Sequence, residues 1–125
     1  MIAKDLMTAN PKTIGTHTRV REAVELLDRL DVRHLPVIDG EGALVGMLSD
    51  RDVRPLEFSS ANEPVVSVMS SNVVAIEEED DAEDAVDLML ENKIGAVPVI
   101  DGEGVLVGII SYVDVLREAR LPVSS

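Results

Sequence analysis

The chain has 125 residues, with 24 acidic against 11 basic side chains and a formal net charge of −13. That balance disfavours nucleic acid and anionic membranes as partners, because both need Lys and Arg against phosphate, and Phe58 and Tyr112 are too few aromatics for a base-stacking platform. The lack of cysteine excludes disulfides and thiol chemistry, no apolar run approaches the ~18 residues of a membrane span, and Met1–Asp5 lacks a signal peptide's apolar core, so a cytoplasmic protein is expected.

Residues 1–12 read as a short lead-in with one helical turn at Lys4–Met7, closed by Asn10-Pro11. Thr13-Ile14 is short and β-branched, a strand signal. Val20, Ala23, Val24, Leu27 and Leu30 recur at helical spacing and predict an amphipathic helix with Thr18 as N-cap. His34–Asp39 reads as a strand, Asp39-Gly40-Glu41-Gly42 as a hairpin turn, and Ala43–Leu48 as the apolar return strand. Gly46 inside that strand signals close approach of another backbone or a ligand. A short helix starts near Ser49 and is curtailed around Pro55.

The second half repeats this order. Pro36–Val53 returns as Pro98–Val115 at an offset of 62, with 13 of 18 positions identical. Val74–Ile76, a helix carrying Ala82, Ala85, Val86 and Met89 with Asp80 or Asp81 as N-cap, the strands Ala96–Ile100 and Val105–Ile110, and a helix over Ser111–Leu121 ended by Pro122 follow in turn. The expected class is α/β (α+β), two tandem β-α-β-β-α units packed with pseudo-twofold symmetry. The divisions are 1–58 with its lead-in, a linker at 59–64, and 65–125. A unit of about 60 residues is marginal alone, so the two copies are expected to share their burial.

Eight acids fall between Glu77 and Asp87. They read either as a solvated helix start, where acids suit the dipole, or as a cation site. His17 and His34 are not spaced as a metal pair, and no metal is expected. No nucleophile elbow or serine–histidine pairing is visible, so catalytic residues are not expected.

The lead-ins Leu6-Met7-Thr8 and Val68-Met69-Ser70, the strands Leu35–Asp39 and Val97–Asp101, and Gly-x-x-Ser-x-x-Asp at Gly46…Ser49…Asp52 and Gly108…Ser111…Asp114 carry a resemblance. The chain resembles the cystathionine β-synthase (CBS) domain family, paired as a stand-alone Bateman module. The resemblance implies a regulatory module, not an enzyme, that holds AMP, ADP, ATP or S-adenosylmethionine in the cleft between its repeats. It needs no other cofactor, forms a homodimer, and acts on an unidentified protein partner. It places Asp52 and Asp114 on ribose hydroxyls and Ser49 and Ser111 on phosphate. Basic residues at Arg33, His34 and Arg51 would meet phosphate. Strand residues Thr13, Ile14, Pro36, Val37, Ala96 and Pro98 would flank the base. Two readings stay open beside this one. Ser-x-x-Asp is also the spacing of a helix-capping box, which needs no ligand. Arg33-His34 is also what an exposed pair leaving a helix looks like. The alternative function is a constitutive dimerisation module without nucleotide.

The two copies differ near the motif. Arg51 faces Val113 in the alignment of the repeats, and Arg33-His34 faces Gly95-Ala96, while the acidic run lies in the second copy. The first pocket is expected to prefer phosphorylated ligands.

Overall fold

The computed structural model describes residues 1–120; the helix end expected at Leu121 and Pro122 lies outside them. Both hairpins are closed by one device. Asp39 Oδ1 accepts from the main-chain N–H of Glu41 and Ala43, each at 2.9 Å, and Gly42 takes a φ of 84° that a side chain would resist. Asp101 and Gly104 repeat the arrangement, with φ 82°.

The elements run α1 (Ala3–Leu6), β1 (Thr8–Ala9), β2 (Ile14–Gly15), α2 (Val20–Leu30), β3 (His34–Ile38), β4 (Leu44–Ser49) and α3 (Asp50–Val53) in the first half. β5 (Ile76–Glu77), α4 (Ala82–Asn92), β6 (Ala96–Ile100), β7 (Leu106–Ser111) and α5 (Tyr112–Ala119) follow. The mixed α/β class is as expected. In each repeat an antiparallel hairpin takes a short parallel strand on one side, Ile14 opposite Val37 and Ile76 opposite Val99. Among the described residues no helix is long and apolar enough to cross a membrane.

The helices differ from expectation at their ends. The Thr18 hydroxyl accepts from the Gly15 N–H at 3.2 Å, which closes a turn, so α2 begins later, after Arg19, with Glu22 Oε1 taking the Arg19 N–H. Asp80 likewise bonds back to the Glu77 N–H at 2.9 Å, and Asp81 stands before α4. Helix α2 buries Val20, Ala23, Val24, Leu26 and Leu27. Leu30, expected in the stripe, is exposed, because the chain turns left-handed at Asp31 just beyond it.

Two compact units result, and they do not coincide with the sequence repeats. Residues 12–73 form the first-repeat unit; residues 1–11 with those from 74 onward form the second-repeat unit. The lead-in of each repeat therefore lies in the compact unit of the other repeat. Each lead-in covers the open edge of a hairpin. Thr8 and Ala9 pair with Ile109 and Gly108 in the second-repeat unit. Ser70 bridges Met47 in the first-repeat unit, with both main-chain bonds at 2.9 Å. An uncovered edge strand leaves N–H and C=O groups unpaired, so covering it is favourable. The 59–64 segment packs against the start of α2, as the Ala61 and Glu63 carbonyls accept from the Arg21 and Val20 N–H groups.

Gly46 allows this closure. A Cβ there would fall against the Met69 thioether and within 3.0 Å of the Ser70 carbonyl, and a Cβ on Gly108 would strike the Met7 side chain. The core of the first-repeat unit is Val20, Leu27, Leu35, Val37, Leu48, Val53 and Val65 with their neighbours. That of the second-repeat unit is Ala3, Ile76, Ala85, Met89, Val97, Val99 and Ile110.

Candidate functional site

At the corner where β4 enters α3, the Ser49 N–H donates to Asp52 Oδ2 at 2.8 Å, and the Asp50 N–H donates to the Arg33 carbonyl at 2.8 Å. His34 lies opposite Ser49 in the sheet. The strand register thus brings Arg33, His34, Ser49 and Asp52 to one place. Among the described residues no donor reaches Asp52 Oδ1 and no main-chain N–H reaches the Ser49 hydroxyl, so only half of a capping box is made. Helix α3 is a single turn running into a 3-10 turn at Arg54–Leu56, too short for a strong dipole. Positive charge at this corner comes from side chains.

The second corner repeats the backbone and changes the bonding. Ala96 lies opposite Ser111, and the Tyr112 N–H donates to the Gly95 carbonyl at 3.0 Å. Asp114 Oδ2 takes the Ser111 N–H at 2.8 Å and its hydroxyl at 3.2 Å, and the Asp114 N–H donates back to that hydroxyl at 3.4 Å. Thr8, from the lead-in, donates its hydroxyl to Asp114 Oδ1 at 3.2 Å. This is a complete capping box with a fourth bond added.

Charge separates the corners further. Among the described residues every ion pair lies in the first-repeat unit. Arg54 reaches Asp28 at 2.8 Å and Asp50 at 2.7 Å, and these carboxylates push its pKa up while Arg54 holds Asp28 down. Arg33 lies 4.0 Å from Asp50 and is 65% exposed. Arg51 is exposed and, among the described residues, makes no ion pair. Burial pushes the half-buried His34 imidazole below its ordinary value; Asp52 and Asp50 oppose that shift and Arg51 adds to it.

The strand candidates divide. Ile14 and Val37 commit their side chains to the core and can offer only main chain. Pro36, Ala96 and Pro98 are buried, and strand alternation turns them away from their neighbours Val37, Val97 and Val99. Thr13 is half-buried. Sequence reasoning quoted Thr8 and Ser70 in the lead-ins without giving them a role; their equivalent places in the two copies were the available signal. Among the described residues no cluster of three or more His, Asp or Glu could hold a metal ion, and Asp80 in the acidic run is spent on the turn before α4.

The family model for the CBS domain matches residues 3–56 and 65–121. The chain belongs to the CBS domain family. This CBS pair is similar to the CBS-pair protein CBSX2 of Arabidopsis thaliana, solved in complex with AMP, at TM-score 0.83 and 34% identity over 94% of this chain and 95% of that one. The CBS domain pair of protein MJ0100, solved with 5′-methylthioadenosine and S-adenosyl-L-methionine, matches at TM-score 0.87 and 26% identity, with 95% of each chain covered. Among curated proteins, the inosine-5′-monophosphate dehydrogenase of Methanocaldococcus jannaschii is 33% identical over 123 residues. The CBS pair spans 98% of its own length in that match but 23% of the dehydrogenase.

Proposed function

We propose that this CBS pair is a regulatory module, not an enzyme, that senses adenosine compounds and passes the signal to a protein partner. The observation that carries the reading is the Asp52 carboxylate. One oxygen is oriented by the Ser49 N–H, and the other has no donor among the described residues. An acceptor of that kind suits vicinal ribose hydroxyls. Arg51, Arg33 and His34 stand on the same corner, so a phosphate there gains charge-assisted bonds. The ligands of CBSX2 and MJ0100 support an adenosine class, and Arg51, which makes no ion pair among the described residues, favours AMP, ADP or ATP over S-adenosylmethionine at the first repeat. The module acts as a homodimer, for which a two-fold contact is the commonest solution.

Thermal unfolding across AMP, ADP, ATP, adenosine and S-adenosylmethionine tests this. A ligand present at 100 times its Kd stabilises by about 2.7 kcal/mol. Calorimetry with Arg51→Ala should weaken AMP and leave adenosine unchanged; equal effects on both would remove Arg51 from the phosphate site. A second reading, a constitutive interaction module, is favoured by one observation. Both oxygens of Asp114 already hold protein donors. Absence of any stabilisation across the panel would support it.

A further inference from the structure

Asp50 stands between two arginines and treats them unequally. Its Oδ1 takes Arg54 Nη2 at 2.7 Å and Nε at 3.3 Å, while its Oδ2 lies 4.0 Å from Arg33 Nη1. Among the described residues no other cation pairs with it. Arg54 is held in turn by Asp28, through bonds at 2.8 and 3.3 Å, and by Glu57 at 3.6 Å. The Asp50 side chain is 22% exposed and that of Arg33 is 65% exposed. Two bonds at one oxygen and a loose contact at the other commit Asp50 to Arg54 and leave Arg33 resting beside it.

The local fold does not require this network. Helices α2 and α4 begin 62 positions apart and the strand registers correspond residue for residue. Asp28, Asp50, Arg54 and Glu57 therefore correspond to Leu90, Tyr112, Leu116 and Ala119. Among the described residues no ion pair forms there. Yet both corners make the same serine N–H to aspartate bond at 2.8 Å. The network does keep company with the cations. Arg33 and Arg51 correspond to Gly95 and Val113, so network and cations are present together in one repeat and absent together from the other. Asp50 is a liability beside a phosphate, because it repels the anion and competes for Arg33. Its charge is felt at the corner: burial lowers the pKa of His34, and Asp52 and Asp50 oppose that shift.

We propose that Arg54 sets the first corner's preference for phosphorylated ligands by tying Asp50 back to Asp28 on α2, which leaves Arg33 to the phosphate. The inference rests on the adenosine reading above and adds Arg54 as a positioning residue that touches no ligand. With Arg54 in place, an incoming phosphate has only the 4.0 Å contact to displace. Without it, Arg33 is the one cation within reach of Asp50 among the described residues, and the pair closes. The phosphate then meets an unneutralised carboxylate and a spent arginine. Adenosine carries no charge and is indifferent to both.

Calorimetry with AMP and with adenosine on the wild type, Arg54→Leu, Asp50→Asn and the double variant tests this. Arg54→Leu, which installs the second repeat's residue, should bind AMP roughly tenfold more weakly, the low end of what one charge-assisted hydrogen bond is worth. It should bind adenosine as the wild type does. Asp50→Asn alone should keep AMP affinity within about twofold, because that charge is already neutralised. The double variant should recover wild-type affinity for AMP. A merely structural arginine gives another pattern: AMP and adenosine weaken alike, and the second substitution restores nothing. That pattern removes Arg54 and leaves the adenosine reading standing, whereas a wild type that binds neither ligand removes both. Should Arg54→Leu misfold, Asp50→Asn still decides. Unchanged AMP affinity supports the proposal, and AMP bound much more tightly than by the wild type overturns it, since Arg54 would then not be neutralising Asp50.

Discussion

The two corners share a backbone and a Ser-x-x-Asp spacing, yet their aspartates are in different states. Asp114 has a donor on each oxygen, from Ser111 and from Thr8 of the lead-in, whereas Asp52 keeps one oxygen without a donor among the described residues and sits among Arg33, His34 and Arg51. Thr8 corresponds to Ser70, which bridges Met47 through its main chain and, among the described residues, sends no hydroxyl to Asp52. The difference teaches that a capping box and a binding carboxylate are one piece of geometry at different stages of satisfaction. What a neighbouring segment donates decides which it is.

Breaking the comparison at its most responsive point means removing the carboxylates. Asp52→Ala should weaken AMP by ~1.5–3 kcal/mol, the scale of a hydrogen bond to a charged group, while Asp114→Ala should change AMP affinity far less and lower thermal stability more. Calorimetry and unfolding on both variants check this, and equal affinity losses would erase the distinction. Gly46→Val probes what the corners share. Overpacking against Met69 and the Ser70 carbonyl should cost ~1–3 kcal/mol, and Gly108→Val should cost a similar amount, read by denaturant midpoints. Thr8→Val sharpens the contrast. Losing that bond should make Asp114 a better acceptor and raise adenosine binding at the second corner by about 1 kcal/mol; Ser70→Val should not alter the first. The smallest effect is titration of His34. Its native pKa lies below its ordinary 6.5, so the folded state binds fewer protons than the unfolded one. Stability should then fall as pH drops below 6.5, and His34→Gln should flatten that slope. A bound phosphate reverses the imidazole's preference, so AMP binding should take up protons in the same range.

The hairpins, the helix stripes and the doubled order were legible because each is local. Asp39 and Gly42 lie within one turn, and Val20, Ala23, Val24 and Leu27 within one helix. Gly46 was legible as a place of close approach, though not what approaches, because Met69 lies 23 residues on and carries no periodicity. The site's composition was readable and its bonding was not. Thr8 meets Asp114 across 106 residues, and Arg54 meets Asp28 across 26. Leu30 misled because a helical stripe in sequence does not say where the helix turns away from the core. Thr18 misled because a hydroxyl near a helix start can close the preceding turn instead.

The exchanged lead-ins also set an order of events during synthesis. The first-repeat unit is contiguous, and its longest edge closure, Met47 with Ser70, spans 23 residues, so it can complete while the rest of the chain is still being made. The second-repeat unit needs the first residues of the chain against nearly the last. Thr8 pairs with Ile109, a separation of 101. Met1–Lys4 can bond to Glu78–Ala82 earlier, but until β7 emerges β1 has no strand to join, and β7 in turn is born with an open edge. Long-range closures of this kind are slow. The strand that waits longest for its partner is β1, and its docking supplies the Thr8 hydroxyl to Asp114 Oδ1.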